Sequence, residues 1–194
     1  MPTRLRGMLE QIDREEAQAA LETCGRRVEQ YAWLRAALYD RDVSEDRHFR
    51  RAFVSHFKLR QKDRDYLRFC FAWLEEHKGR PVSFDMALMD LFRAFGILDP
   101  ATASKLASAV DPRLPVWDSQ ILGSMGIRPL ALEQGIRRVE KIVEAYEKLQ
   151  WWYDRYLRSK SGRTAAQLFD EVYPDTGFSQ LKKVDFVVWS ILWS

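Results

Sequence analysis

Asp118 is the carboxylate whose setting most suggests chemistry. It stands in Pro115-Val-Trp-Asp-Ser-Gln-Ile121, directly after a proline-bounded link, Asp111-Pro-Arg-Leu-Pro115. An aspartate before an apolar run is ordinary helix N-cap grammar, because its oxygens accept the first free backbone N–H groups. A carboxylate left open to a substrate can also stabilise developing positive charge or activate water. Lys105 is the lysine of the preceding stretch. An amine attacks as a nucleophile only when neutral, which requires desolvation or neighbouring cations. His48, His56 and His77 share no metal-ligand spacing with nearby carboxylates or cysteines, and His56 lies on an apolar face with Phe53 and Phe57. Cys24 and Cys70 are the two cysteines, too few for a disulfide scaffold, a four-cysteine zinc site or a cysteine-ligated iron–sulfur cluster. The chain contains no phosphate-binding P-loop, dinucleotide glycine fingerprint or Gly-x-Ser-x-Gly elbow. No metal site and no cofactor are expected.

A second cluster is electrostatic. Arg47, Arg50, Arg51, Lys58, Arg60, Lys62, Arg64 and Arg68 fall within 22 residues, offset by Asp63 and Asp65. Such a stretch reads either as a solvated helical face or as a patch facing phosphates. The net charge of +3 is too small to decide between them.

The elements that must position these residues are helical almost throughout. Leu5, Met8, Leu9 and Ile12 open one amphipathic run, and Leu21, Cys24, Val28, Tyr31, Leu34 and Leu38 form the next stripe, weakened at Gly25. Phe49, Ala52, Phe53, His56 and Phe57 make a further face, with Ser44 its expected N-cap, and Tyr66 to Leu74 continue until Gly79-Arg80-Pro81. Ser83 is set to cap a helix over 84–95, ended by Gly96 in the left-handed region. Asp99 and Pro100 then supply the cap and first position of a helix over 100–110. The two predict a helical hairpin around Gly96-Ile97-Leu98-Asp99. One long helix is expected from about Leu130 to Lys160, a short one at Ala165–Val172, and a last one in the apolar tail from Ser179 to Trp193. The fold class is all-α. At 194 residues the chain is read as a single domain, with an N-terminal helical part (1–80) and a part carrying the hairpin and aspartate motif (81–194).

Residues 84–122 resemble the helix–hairpin–helix DNA glycosylase superfamily, which includes the 8-oxoguanine glycosylases, endonuclease III and the mismatch adenine glycosylases. Gly96-Ile97-Leu98 resembles the family's Gly-hydrophobic-Gly hairpin, with Leu98 in place of the second glycine. Pro115-Val116-Trp117-Asp118-Ser119-Gln120-Ile121 resembles its aspartate motif. Ala103-Ser104-Lys105-Leu106 and, more weakly, Leu181 to Trp189 resemble uncharacterised bacterial relatives.

The resemblance implies a helix–hairpin–helix DNA glycosylase-like domain that binds double-stranded DNA and excises a damaged or modified base. It makes Asp118 the catalytic carboxylate. It makes Gly96, Ile97, Leu98, Ser104, Trp117 and Gln120 contacts to DNA or base, joined by Arg50, Arg51, Lys58 and Arg64 of the basic cluster. A base must leave the stack before it can be excised, and Trp117 offers a ring to stack against. The family's lysine nucleophile lies about four residues past the first hairpin glycine, whereas Lys105 lies nine past Gly96. Lys105 therefore reaches the site from one turn further along, or binds phosphate, or the enzyme is monofunctional and uses water. A non-catalytic helical domain that keeps the fold for DNA or protein binding is the alternative. The N-terminal stretch has no apolar signal region, and no apolar run has the length of a membrane span, so a cytoplasmic protein without a membrane partner is expected.

Overall fold

The computed structural model describes residues 13–59, 61–127 and 136–193. Every regular element among them is an α-helix. In chain order these are α1 (Arg14–Glu22), α2 (Gly25–Asp40), α3 (Arg47–His56), α4 (Arg64–His77), α5 (Phe84–Phe95), α6 (Pro100–Val110), α7 (Ser119–Ser124), α8 (Ile136–Arg158), α9 (Lys160–Val172) and α10 (Gln180–Trp193). They divide into two compact units. One holds α2–α6; the other holds α1 and α7–α10, and the chain passes between them after Cys24 and after Asp111. The boundary drawn from sequence at residue 80 falls inside the α2–α6 unit.

Within that unit, the N-termini follow cap chemistry. Asp46 accepts the Phe49 N–H at 2.9 Å, Asp63 that of Tyr66 at 2.8 Å and Ser83 that of Met86 at 3.1 Å. The cap of α3 is thus Asp46 and not Ser44. Ser44 is held instead by Asp42, whose Oδ1 accepts both its N–H at 3.0 Å and its hydroxyl at 2.6 Å. That local turn delays helix entry until Arg47. Gly96 ends α5 at φ 68°, its N–H donating to the Phe92 carbonyl at 2.7 Å. The expected hairpin of α5 and α6 is present with the bounds read from sequence. The core is aromatic: Phe53 packs against Phe49, Phe57 and Phe71 at centroid distances of 5.7, 4.5 and 5.7 Å. Helix α6 is buried on almost every face, and its Ala103, Ser104, Ala107 and Ser108 are small enough to let neighbours approach closely.

In the other unit, α10 packs on α9, α1 and α8. Ala17 and Leu21 of α1, Leu149 and Tyr153 of α8, Leu168 and Phe169 of α9, and Val184, Val187 and Val188 of α10 are fully buried. The long helix expected to reach Lys160 stops at Arg158. Ser159 caps a new helix instead, accepting the Gly162 N–H at 3.0 Å, so α9 starts earlier than the short helix expected at Ala165. The stripe from Leu21 to Leu38 is likewise broken: Thr23 turns back to the Ala20 carbonyl through its N–H and, at 2.7 Å, its hydroxyl. The amphipathic run at Leu5–Ile12 and the first residues of the expected long helix lie outside the described residues. The tail is helical, as expected, and Ser179 accepts the Lys182 N–H at 3.2 Å.

Candidate functional site

The hairpin tip is Gly96-Ile97-Leu98. Ile97 is 54% exposed, Leu98 is half-buried, and the N–H groups of both have no hydrogen-bond partner among the described residues. Two open donors at an exposed turn are what a phosphate oxygen requires. The N-terminus of α6 beside them is already occupied. Asp99 Oδ1 accepts the Thr102 N–H at 3.0 Å; its Oδ2 accepts the Thr102 and Tyr66 hydroxyls, each at 2.8 Å, and pairs with Lys62. Burial pushes this carboxyl up, but the hydrogen bonds from Lys62, Thr102 and Tyr66 outweigh it and hold Asp99 below its usual value. The helix dipole at α6 therefore meets a carboxylate of the chain itself.

Asp118 sits half-buried at the start of α7. Its Oδ1 accepts the N–H groups of Gln120 at 2.8 Å and Ile121 at 3.2 Å. Its second oxygen has no hydrogen bond among the described residues. The segment entering the helix is tied down by α8: the Tyr146 hydroxyl donates to the Pro115 carbonyl at 2.8 Å. Two turns along the same face, buried Tyr153 donates to Asp185 of α10 at 3.0 Å. Asp185 also pairs with Lys182 at 2.9 Å, and the Lys182 side chain is 5% exposed. Burial foremost, then the Asp185 charge, push the Tyr153 hydroxyl far above its ordinary range, and the Asp118 charge adds to the same effect. Asp118 thus lies within electrostatic reach of a buried tyrosine–aspartate–lysine chain that the sequence reading did not select. The available signals were the i, i+3 spacing of Lys182 and Asp185 inside an apolar tail, and the seven-residue spacing of Tyr146 and Tyr153.

The remaining selected residues fall in both units. Trp117 is half-buried and Gln120 exposed, both in the unit of Asp118; Lys105 is half-buried on α6, in the other unit. Ser104 is fully buried, and its hydroxyl donates to the Ala101 carbonyl at 3.0 Å. Arg50 is half-buried and donates to the Ser44 carbonyl at 3.0 Å, Lys62 is neutralised by Asp99, and Arg68 pairs with Asp65 at 3.1 Å. Arg51, Lys58 and Arg64 are exposed, with Arg51 on a groove between α2 and α3. Cys24 and Cys70 are buried free thiols, and burial first, then the Asp99 charge, push the Cys70 thiol up to about 12. Among the described residues no three His, Cys, Asp or Glu side chains converge as metal ligands would, and no helix is long and apolar enough to cross a membrane. No family model matches the chain, and neither does any curated protein or solved structure.

Proposed function

We infer that this chain is a DNA glycosylase-like protein that binds double-stranded DNA and releases a damaged or modified base, with Asp118 as the essential carboxylate. The observation that carries this reading is the divided role of Asp118. One oxygen caps α7 and fixes the side chain, while the other has no hydrogen bond among the described residues. Breaking an N-glycosidic bond sends the bonding pair out with the base and builds positive charge at the sugar C1′. A fixed carboxylate stabilises that charge and takes a proton from the water whose oxygen then bonds C1′. The open N–H groups of Ile97 and Leu98 supply a place for a backbone phosphate. The likeness of residues 84–122 to the helix–hairpin–helix glycosylases supports the same reading.

The cap bonds of Asp118 favour a second reading, in which the domain binds DNA without chemistry. Both readings require duplex DNA to bind more weakly as salt rises, because phosphate contacts release counterions. Fluorescence anisotropy with a labelled duplex is the test. No binding at low salt, or binding indifferent to salt, would sink both.

A further inference from the structure

The open groove between α2 and α3, of about 520 Å³, has no part in the chemistry assigned to Asp118. Arg26, Glu29, Gln30 and Trp33 line it from successive turns of α2, and His48 and Arg51 line it from α3. Arg41, Arg93, Arg68 and Arg158 are paired with Asp46, Asp90, Asp65 and Asp154, whereas Arg64, Arg80 and Arg155 are exposed with no ion pair among the described residues. Arg26 and Arg51 are exposed and form no ion pair among the described residues. Neither does Arg47, one turn before Arg51. Glu29 is the one carboxylate on the lining, and it pairs with neither arginine, so the fixed charge of the groove is positive.

The wall is built rather than loose. The Gln30 amide crosses the groove to the Ala52 carbonyl at 3.3 Å. The Trp33 and His48 rings meet edge to face with centroids 4.6 Å apart, and the Arg41 guanidinium lies 5.7 Å from the Trp33 ring centroid.

We propose that the α2–α3 groove is a binding site for the phosphate ester of a nucleotide, with Arg26 and Arg51 holding the phosphate. Two guanidinium forks match the several oxygens of a phosphate better than the two of a carboxylate. The Trp33 and His48 rings provide the aromatic wall that a planar base uses. The volume is that of a site for a ligand larger than bare phosphate. The phosphate ester comes from a free nucleotide or from a nucleic-acid strand. The site lies outside the unit of Asp118, so it stands whether or not Asp118 is catalytic.

The test titrates the full chain with adenosine monophosphate and, separately, with a labelled oligonucleotide at low salt. The wild type is compared with Arg26→Gln/Arg51→Gln and with Arg93→Gln, a control on an arginine already paired with Asp90. Circular dichroism establishes that the variants fold. Mononucleotide binding that the double variant weakens at least about tenfold, with the control unchanged, assigns a free nucleotide. Oligonucleotide binding alone, with the slope of log K against log salt falling by about two in the double variant, assigns a strand. Absence of binding to both probes, or a double variant that binds as the wild type does, overturns the site.

Discussion

Replacing Asp185 with leucine removes the carboxylate that faces the Lys182 ammonium, whose side chain is 5% exposed. Breaking a buried pair from one side costs about 3–5 kcal/mol, and here it takes away the carboxylate 2.9 Å from the ammonium. For a chain of this size that lowers Tm by roughly 6–20 °C. Lys182→Met is the milder change. Asp185 is 19% exposed and keeps the Tyr153 hydroxyl as a donor at 3.0 Å, so the cost falls to about 1–3 kcal/mol. The double variant Lys182→Met/Asp185→Leu removes both charges and leaves apolar side chains of similar bulk. Its expected cost is below that of Asp185→Leu alone. Urea unfolding followed by tryptophan fluorescence measures all four corners of this cycle. If the double variant lost the sum of the two single losses to within about 0.5 kcal/mol, the pair would not be coupled and the buried chain beside Asp118 would be wrong.

Gly162→Ala should be strongly destabilising, because its Cβ would lie 2.0 Å from the Tyr156 carbonyl oxygen and 2.7 Å from its carbon, both backbone atoms. A loss of about 3 kcal/mol in urea unfolding is expected, and a neutral result would contradict the tight α8–α9 turn. Asp99→Ala removes the α6 cap and the shared acceptor of Lys62 and Tyr66, for about 2 kcal/mol after discounting the partly exposed lysine. The midpoint should fall at an unchanged urea m-value. Stability should also decline in alkali. Burial raises the Cys70 thiol from its usual 9.0 to about 12 and lifts Tyr66, Tyr153 and Tyr156 above their usual 10.0. The unfolded chain then loses these protons first, so their stabilisation is complete below about pH 9 and fades as pH rises toward the folded values. Equal urea midpoints at about pH 8 and about pH 11 would refute this.

The hairpin was legible because its grammar is local. Ser83, Gly96, Asp99 and Pro100 each satisfy or avoid a specific backbone group, and the observed bounds of α5 and α6 follow from them. The cap at Asp118 was legible for the same reason. Ser44 misled because Asp42 takes its N–H and hydroxyl in a local turn and Asp46 caps α3 instead, and spacing alone does not rank Ser44 against Asp46. Ser159 was hidden in a continuous apolar stripe, since the periodicity of α8 runs on into α9 while the backbone turns. The chain from Lys182 through Asp185 reaches Tyr153, 32 residues before Asp185, and only packing brings α8 and α10 together. The α2–α3 groove was missed because Arg26 and Glu29 look like ordinary solvated positions. Their missing ion pairs are visible only in three dimensions.

The central claim is that Asp118 performs base excision, and its direct measurement is release of a damaged base from duplex DNA. A panel of lesion-bearing duplexes is incubated with the wild type and with Asp118→Asn, and abasic sites are revealed by alkaline strand cleavage. Borohydride added in parallel traps any lysine adduct, with Lys105→Gln as its control. The account predicts excision of at least one lesion by the wild type, without trapping, and a loss of at least about a hundredfold in Asp118→Asn. Full activity in Asp118→Asn, or no excision across the panel, would contradict it and leave Asp118 only its role as the cap of α7.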